Sequence, residues 1–327
     1  MKHIFLIILT IFSFNASAKD DGLALIQRRG HLKCGTNLDI KAFAHKDKDG
    51  FWQGFDADIC KSIALAVLGK ENAIEIINIK EKNASKALET SKVDIIIGGL
   101  TNTVSQEATS KITPATFLYY DRLKFLAYKK ENASSMQDYK GSNFCIQNKP
   151  LNIFNTQEYN AKYGLDFNFM IFNSPQEMKE AFLLKRCTVL AGSEIYLKSY
   201  INDKTVLIDE VIGDIPINIF TLKNNVSLKI AIKWIINALV FAERIDLNQI
   251  NNKIYIASNN AVIQNILGQN PDVWQKLDLH PNWLRKAISL FGNYGEIYKK
   301  HIESLDIERK ENNIAQKNGL IRSEMFL

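Results

Sequence analysis

Apolar positions in the first hundred residues follow two periods in turn. Runs that alternate apolar and polar residues, or that are apolar throughout, predict strands, whereas Asp56–Leu68 places Ile59, Ile63 and Val67 on one stripe and predicts a helix. The predicted elements are a strand over 31–37, a helix over 56–68, a strand over 73–79, a helix over 84–90 and a strand over 93–97. This β-α-β-α-β order is typical of an open α/β sheet.

The same alternation restarts in the middle of the chain. Its elements are predicted as strands over 143–147 and 167–172, a helix over 176–184 and a strand over 188–191. Two extended segments, 124–130 and 216–223, connect the two units. We therefore predict an α/β protein with two open sheets joined by a two-strand hinge. Its lobe 1 comprises 19–128 plus 219–327, and its lobe 2 comprises 129–218.

The last hundred residues are predicted to form a helical C-terminal extension of lobe 1. Apolar positions recur at helical spacing over 227–243, and a second helix is expected over 281–291. Residues 307–319 are charged and rich in asparagine. We expect this stretch to be a loosely packed tail.

The N-terminus has the features of a secretory signal peptide. Residues 1–18 combine Lys2, an apolar run over 4–14 and small residues at 16–18, which predicts cleavage after Ala18. An uncleaved membrane anchor is the alternative, but the run is shorter than the roughly 18–20 residues that span a bilayer. The chain is therefore expected to be exported.

Composition and charge narrow the function classes only slightly. The 327 residues are 46% hydrophobic, with 41 Lys and Arg against 35 Asp and Glu, a formal charge of +6. This balance excludes a disordered chain and does not indicate nucleic-acid binding, which needs a clustered basic face. Four cysteines in an exported chain allow three disulfide pairings, and a loop of moderate size would contribute roughly 3 kcal/mol. A zinc site is the alternative, but no C-x-x-C spacing exists.

Five segments together resemble the general L-amino-acid-binding proteins that feed ABC transporters. They are LKCGTN (32–37), GFWQGFDADICKSIALAVLG (50–69), SKVDIIIGG (91–99), FLYYD (117–121) and GNYGEIY (292–298). The resemblance implies a two-lobed periplasmic-binding-protein fold of type II, a ligand cleft between the lobes, and closure on binding. It also implies a periplasmic monomer that binds a small molecule, docks on an inner-membrane ABC permease, and uses neither a cofactor nor nucleic acid.

The resembled family also has cysteines at the four positions found here. This supports two local disulfides, Cys34–Cys60 and Cys145–Cys187.

The lobe 1 ligand residues implied by the resemblance depart from the family at the arginine. An amino-acid ligand needs a donor for its carboxylate, an acid for its ammonium and a fitted wall. In the resembled family, the donor for the ligand carboxylate is the arginine that ends a Thr-x-Thr-x-x-Arg pattern. Here Thr101 and Thr103 match, but Gln106 stands in place of the arginine and carries no charge. Phe43 matches an aromatic wall position, although it could equally anchor its own loop.

The lobe 2 residues depart as well. The family has a Gly-Thr-Thr loop where this chain has Asn148, Lys149 and Pro150, and an aspartate where it has Ser193. Lys149 could supply the missing cation, and the adjacent Glu194 could supply the missing acid. Changes at all three polar anchors mean that the ligand is not a standard α-amino acid or is no longer bound tightly, and an altered ligand or binding mode is favoured over a site that has lost binding.

We therefore predict an extracytoplasmic solute-binding protein. It would capture a small polar solute, an amino acid or a related compound, in the inter-lobe cleft and deliver it to an ABC permease. One alternative is a sensor or scaffold that keeps the fold but has altered or lost amino-acid binding. A dehydratase-like enzyme is disfavoured, because Glu107 and Glu194 are the only nearby acids and no histidine falls in the cleft segments.

Overall fold

The computed structural model describes residues 21–38, 40–131, 133, 135–255, 257–269 and 272–326. The predicted signal peptide lies outside these residues. The helices are α1 (Gly22–Arg29), α2 (Phe55–Leu68), α3 (Ala84–Glu89), α4 (Val104–Thr109), α5 (Pro150–Tyr163), α6 (Pro175–Leu183), α7 (Glu194–Lys198), α8 (Val226–Arg244), α9 (Asn252–Tyr255), α10 (Ala261–Ile266), α11 (Asp272–Gln275), α12 (Trp283–Phe291) and α13 (Tyr294–His301). The strands are β1 (Leu32–Thr36), β2 (His45–Lys46), β3 (Trp52–Gln53), β4 (Ile74–Asn78), β5 (Ile95–Ile97), β6 (Ile112–Tyr128), β7 (Asn143–Gln147), β8 (Asn168–Phe172), β9 (Val189–Ser193) and β10 (Thr205–Leu222).

Eight of these strands form one mixed sheet in the order β4-β1-β5-β10-β6-β9-β7-β8. The parallel strands β1, β4 and β5 form a first strand group, and the parallel strands β7, β8 and β9 form a second. The long antiparallel pair β6 and β10 joins the two groups. β10 pairs with β5 at Ile219 and Phe220, and β6 pairs with β9 over Leu123–Ala127. The predicted α/β class and the two strand connections are confirmed.

The two connecting strands are much longer than predicted. The sequence marked only 124–130 and 216–223, whereas the structure has 17 residues in β6 and 18 in β10. Polar residues such as Asp121 and Arg122 interrupt the apolar pattern of β6, so the pattern identifies only part of each strand.

Glycine is required where helix α2 begins. Gly54 has φ 122°, and a Cβ at this position would lie 2.3 Å from the carbonyl oxygen of Phe43. Only glycine combines that backbone conformation with so close an approach. The turn brings Phe55 and Asp56 to the amino end of α2, beside the carboxyl end of β1.

The GNYGEIY segment ties the C-terminal extension to strand β6. Asn293 and Glu296 form a capping box that begins α13. The Tyr294 hydroxyl donates to the Leu118 carbonyl oxygen at 2.6 Å, and Phe55 meets Tyr294 edge-on at 6.2 Å between ring centroids. The extension is therefore part of the core that holds the connecting strand in place.

The expectation of a loosely packed tail over 307–319 is wrong. Ile307, Asn312 and Ile314 are buried. The Asn312 side chain accepts from the Tyr120 N–H at 2.7 Å and donates to the Tyr120 carbonyl oxygen at 2.9 Å. Polar composition misleads here because the polar side chains are paired with protein groups rather than solvated.

The disulfides join Cys34 to Cys60 and Cys145 to Cys187, with Cα–Cα distances of 6.4 and 5.7 Å. These are the two local pairings that the resemblance implied. They exclude the zinc alternative for these cysteines, since each thiol is consumed in a bond.

Candidate ligand-binding cleft

The candidate site lies where the carboxyl ends of the two strand groups come together. Thr36 and Ile97 end β1 and β5 in the first group, and Gln147 and Ser193 end β7 and β9 in the second. Ligands of open α/β sheets bind outside the carboxyl ends of parallel strands. The topology therefore points to a cleft between these two edges.

An ion pair connects the two edges. Lys149 directly precedes α5, beside the second strand group, and Glu81 lies just beyond β4 of the first strand group. Lys149 Nζ is 2.6 Å from Glu81 Oε2. Both side chains are partly exposed, which limits the strength of the pair. Lys149 therefore has a partner already, which weakens its predicted role as a substitute cation for the missing arginine.

The predicted lobe 1 residues are neutral and partly engaged. The Thr103 hydroxyl caps α4 by accepting from the Gln106 N–H at 3.1 Å. Thr101 and Gln106 have half-buried side chains. Phe43 is buried, with its ring centroid 6.4 Å from that of Tyr119. Its surroundings favour the alternative in which Phe43 anchors its loop.

Glu194 is committed to two buried cations. Its carboxylate accepts from Arg122 Nε at 2.6 Å and lies 3.2 Å from Lys124 Nζ. All three side chains are nearly inaccessible to solvent. Glu194 therefore neutralises charge on β6, a role that competes with its predicted contact to a ligand ammonium.

Ser193 and Asn148 have local partners. The Ser193 hydroxyl accepts from the Tyr196 N–H at 3.3 Å and so caps α7. Asn148 Nδ2 donates to Asn173 Oδ1 at 2.8 Å on the exposed side of the second group.

Asp121, a buried acid beside Ser193, is not among the site residues predicted from the sequence. Leu123 pairs with Ser193 across β6 and β9, so Asp121, two residues earlier on the same face, is the diagonal neighbour of Ser193. The carboxyl is fully buried and its Oδ1 has no hydrogen-bond partner. Burial raises the pKa of Asp121 to about 6, although the Ser193 hydroxyl opposes the shift. The available signal was its position at the end of the FLYYD segment.

Asp56 is a second buried acid at the first edge. It accepts a hydrogen bond from the Thr36 hydroxyl at the end of β1, and its Oδ1 has no partner. Burial raises the pKa of Asp56 to about 7, with the Thr36 hydrogen bond opposing the rise. The pKa of buried Tyr119 is raised by its own burial and further by the charges of Asp121 and Asp56. Tyr119 is therefore close enough to both acids for their charges to act on it.

Replacing Asp56 with asparagine is expected to stabilise the free protein at high pH. Because the folded-state pKa lies above the ordinary 3.8, the folded protein binds the proton more tightly, and stability falls as pH rises from about 4 through 7. A rise from 3.8 to about 7 corresponds to at most about 4 kcal/mol at pH 8. Urea unfolding at pH 5 and pH 8 measures the effect, with the exposed Asp49→Asn as control. An unchanged pH dependence in Asp56→Asn would contradict this assignment.

A separate cavity of about 320 Å³ lies near the C-terminus. Phe117, Asn237 and Ser323 are among its lining residues. None of the lining residues belongs to the second strand group, so the cavity is distinct from the cleft.

The described residues contain no group of three or more His, Cys, Asp or Glu side chains arranged to hold a metal ion. Within the same part of the chain, no helix combines the length and apolar character needed to cross a membrane.

Residues 32–304 match the bacterial extracellular solute-binding proteins, family 3. The chain belongs to this family. This chain is 27% identical over 317 residues to the general L-amino acid-binding periplasmic protein AapJ of Rhizobium johnstonii. The alignment covers 93% of this chain and 92% of AapJ. This chain is also 25% identical over 323 residues to the glutamate/glutamine/aspartate/asparagine-binding protein BztA of Rhodobacter capsulatus, covering 95% and 94%.

A solved structure agrees with these relatives. The structure of a periplasmic binding protein from Brucella ovis with glutathione bound is 27% identical in sequence to this chain. The two superpose with a TM-score of 0.85, covering 93% of this chain and 99% of the Brucella chain. The predicted family and the periplasmic-binding-protein fold are confirmed.

Proposed function

We propose that this solute-binding protein works in the periplasm. It captures an amino acid or a related small polar compound in the cleft and delivers it to an inner-membrane ABC permease. The lobes that close on the solute are 19–128 plus 219–327 and 129–218, with β6 and β10 as the hinge. One observation carries the proposal. The carboxyl ends of the two strand groups are joined by the Lys149–Glu81 pair, and the buried acids Asp56 and Asp121 each keep one oxygen without a hydrogen-bond partner. A buried polar atom without a partner is costly, and a bound polar ligand would satisfy it.

The relatives support the ligand class and the location. AapJ and BztA are named for amino acids, and the Brucella protein holds glutathione, a peptide-like compound. AapJ is named a periplasmic protein, in line with the predicted signal peptide. One chain supplies both edges of the cleft, so we propose that it acts as a monomer. We also propose that its function needs no cofactor, nucleic acid or catalytic group.

The neutral groups at the cleft edges are proposed to contact the ligand. Thr101, Thr103, Gln106 and Asn148 offer hydroxyls and amides rather than charges. Lys149 closes the cleft through Glu81. Phe43 and Glu194 support neighbouring elements rather than gripping the ligand.

Purified mature chain, beginning at residue 19, should be stabilised by at least one small ligand. The panel comprises the standard amino acids, glutathione, short peptides, amines and organic acids, each at 1 mM, with isothermal titration for every hit. A ligand at a hundred times its Kd adds about 2.7 kcal/mol to the free energy of unfolding, which a thermal shift detects easily. No stabilisation by any member would contradict the proposal and favour the sensor or scaffold alternative.

A further inference from the structure

The negative charge missing at Ser193 is present beside it. Asp121 projects from the connecting strand β6 as the diagonal neighbour of Ser193, and the backbone N–H of Ile195 also donates towards its carboxyl. Its residue is 7% exposed and its Oδ1 makes no hydrogen bond. Asp121 therefore keeps a negative charge at the corner of the cleft where Ser193 stands in place of the family aspartate.

The other acids at the cleft edges already have partners. Glu194 is held by Arg122 and Lys124. Glu81 is paired with Lys149 across the cleft. Glu107 accepts from Asn102 Nδ2 at 2.6 Å. Asp121 and Asp56 differ from all three, because each keeps one buried oxygen without a partner.

The opposite end of an amino-acid ligand would find weaker partners. The matching arginine position is Gln106, and the nearby Lys149 is shared with Glu81. A neutral donor to a carboxylate lacks the bidentate, charged geometry of a guanidinium. A ligand carboxylate at Gln106 is thus held less strongly than by an arginine, whereas the open oxygens of Asp121 and Asp56 can accept from a cationic group.

We propose that Asp121 is the acid that binds the ligand ammonium, and that the ligand class is primary ammonium compounds in which the α-carboxylate is dispensable. This inference rests on the proposed solute-binding function and specifies the chemistry of its site. The charge of Asp56 also acts on Tyr119, so Asp56 contributes a second negative charge to the same region.

The affinity of such a site depends on pH. Because the pKa of Asp121 in the free protein is about 6, acidification protonates the acid and removes the ammonium partner. Titratable groups around it come from several elements: Glu194 of α7 raises the pKa, Lys149 before α5 lowers it, and Tyr119 and Tyr298 are also near. Kd is expected to rise about tenfold for each pH unit below 6.

Matched ligand trios test the proposal. Each trio is an amino acid, its decarboxylated amine and its deaminated acid: leucine, 3-methylbutylamine and 4-methylpentanoate; arginine, agmatine and 5-guanidinopentanoate; glutamine, 4-aminobutanamide and 4-carbamoylbutanoate. In at least one trio the amine should bind the mature chain within about tenfold of the amino acid, and the deaminated acid should not bind. Titration calorimetry at pH 7.5 gives each Kd.

Three variants assign the effect to Asp121. Asp121→Asn keeps the shape and should weaken the amine about thirty- to several-thousand-fold, the range for loss of one charged partner. Asp121→Asn with Ser193→Asp returns the charge to the neighbouring position and should recover part of the affinity, which a merely structural role would not. Asp214→Asn is the matched control, because Asp214 is an acid of the connecting strand β10, opposite Arg122, and burial raises the pKa of its carboxyl. Thermal unfolding of each variant confirms folding.

Each outcome decides one question. Binding that survives Asp121→Asn, or that requires the carboxylate and not the ammonium, overturns the inference and leaves the solute-binding function intact. If neither these trios nor the wider ligand panel yields any binding, the proposed function itself fails, and the inference fails with it.

Discussion

Replacing Glu194 with glutamine is expected to destabilise the protein by about 3–5 kcal/mol, the cost of removing one partner from a buried ion pair. Arg122 and Lys124 are 3% and 4% exposed, and each would lose its buried counter-charge. The loss is not complete, because Lys124 keeps Asp209 at 2.8 Å and Arg122 keeps the Glu308 carbonyl oxygen at 2.8 Å. Urea unfolding at pH 7 measures the free energy of unfolding.

The same experiment separates two roles for Glu194. Glu308→Gln, on a side chain that is 78% exposed, serves as the matched control and should change stability by less than about 0.5 kcal/mol. If Glu194→Gln unfolds at the wild-type urea concentration while ligand affinity collapses, Glu194 is a ligand residue, as its sequence position suggested. The structure predicts instead that Glu194→Gln lowers the free energy of unfolding and has the smaller effect on ligand affinity.

Arg309→Met is expected to cost a similar 3–5 kcal/mol. Arg309 forms a bidentate pair with Glu243 at 2.6 and 2.7 Å, and its guanidinium lies 5.3 Å from the ring centroid of Tyr298. The methionine retains the apolar packing but leaves the Glu243 carboxylate buried without its main partner. Lys317 Nζ, 3.7 Å from Glu243, is exposed and compensates only weakly. Thermal and urea unfolding of the mature chain give the change in stability.

A double substitution provides the internal control for this pair. Arg309→Met with Glu243→Leu removes both charges and should regain most of the lost stability, since buried ion pairs and apolar replacements are often nearly equivalent. Lys310→Gln, the exposed neighbour, should have little effect. Wild-type stability in Arg309→Met would mean that the Arg309–Glu243 pair does not help to hold the C-terminal segment in place.

Periodicity predicted most of the longer elements that bury a clear apolar face. The strands and helices predicted on either side of the hinge are present with ends within about two residues. Helix α5 was missed because Asn148, Lys149 and Pro150 resembled a loop, although proline is favoured at the first helical position. Its apolar stripe is weak, since only Asn152 and Thr156 are buried along it.

The site was harder to predict than the fold. Comparison with the resembled family directed attention to the positions where its ligand residues stand, and so to Gln106 and Ser193. Asp121 reads in the sequence as a polar interruption of a strand, and only the pairing of β6 with β9 brings it beside Ser193. Likewise, Glu194 looks like a free acid until Arg122 and Lys124 are folded against it.

A crystal structure of the mature protein saturated with ligand from a native extract tests most directly whether Asp121 binds the ligand in this cleft. We expect a small molecule between the two carboxyl edges, with a nitrogen about 3 Å from Asp121 Oδ1. An α-amino acid held through its carboxylate by Gln106, with its ammonium on an acid other than Asp121, would contradict it. So would a ligand seated in the cavity beside Phe117 and Ser323 with the cleft empty.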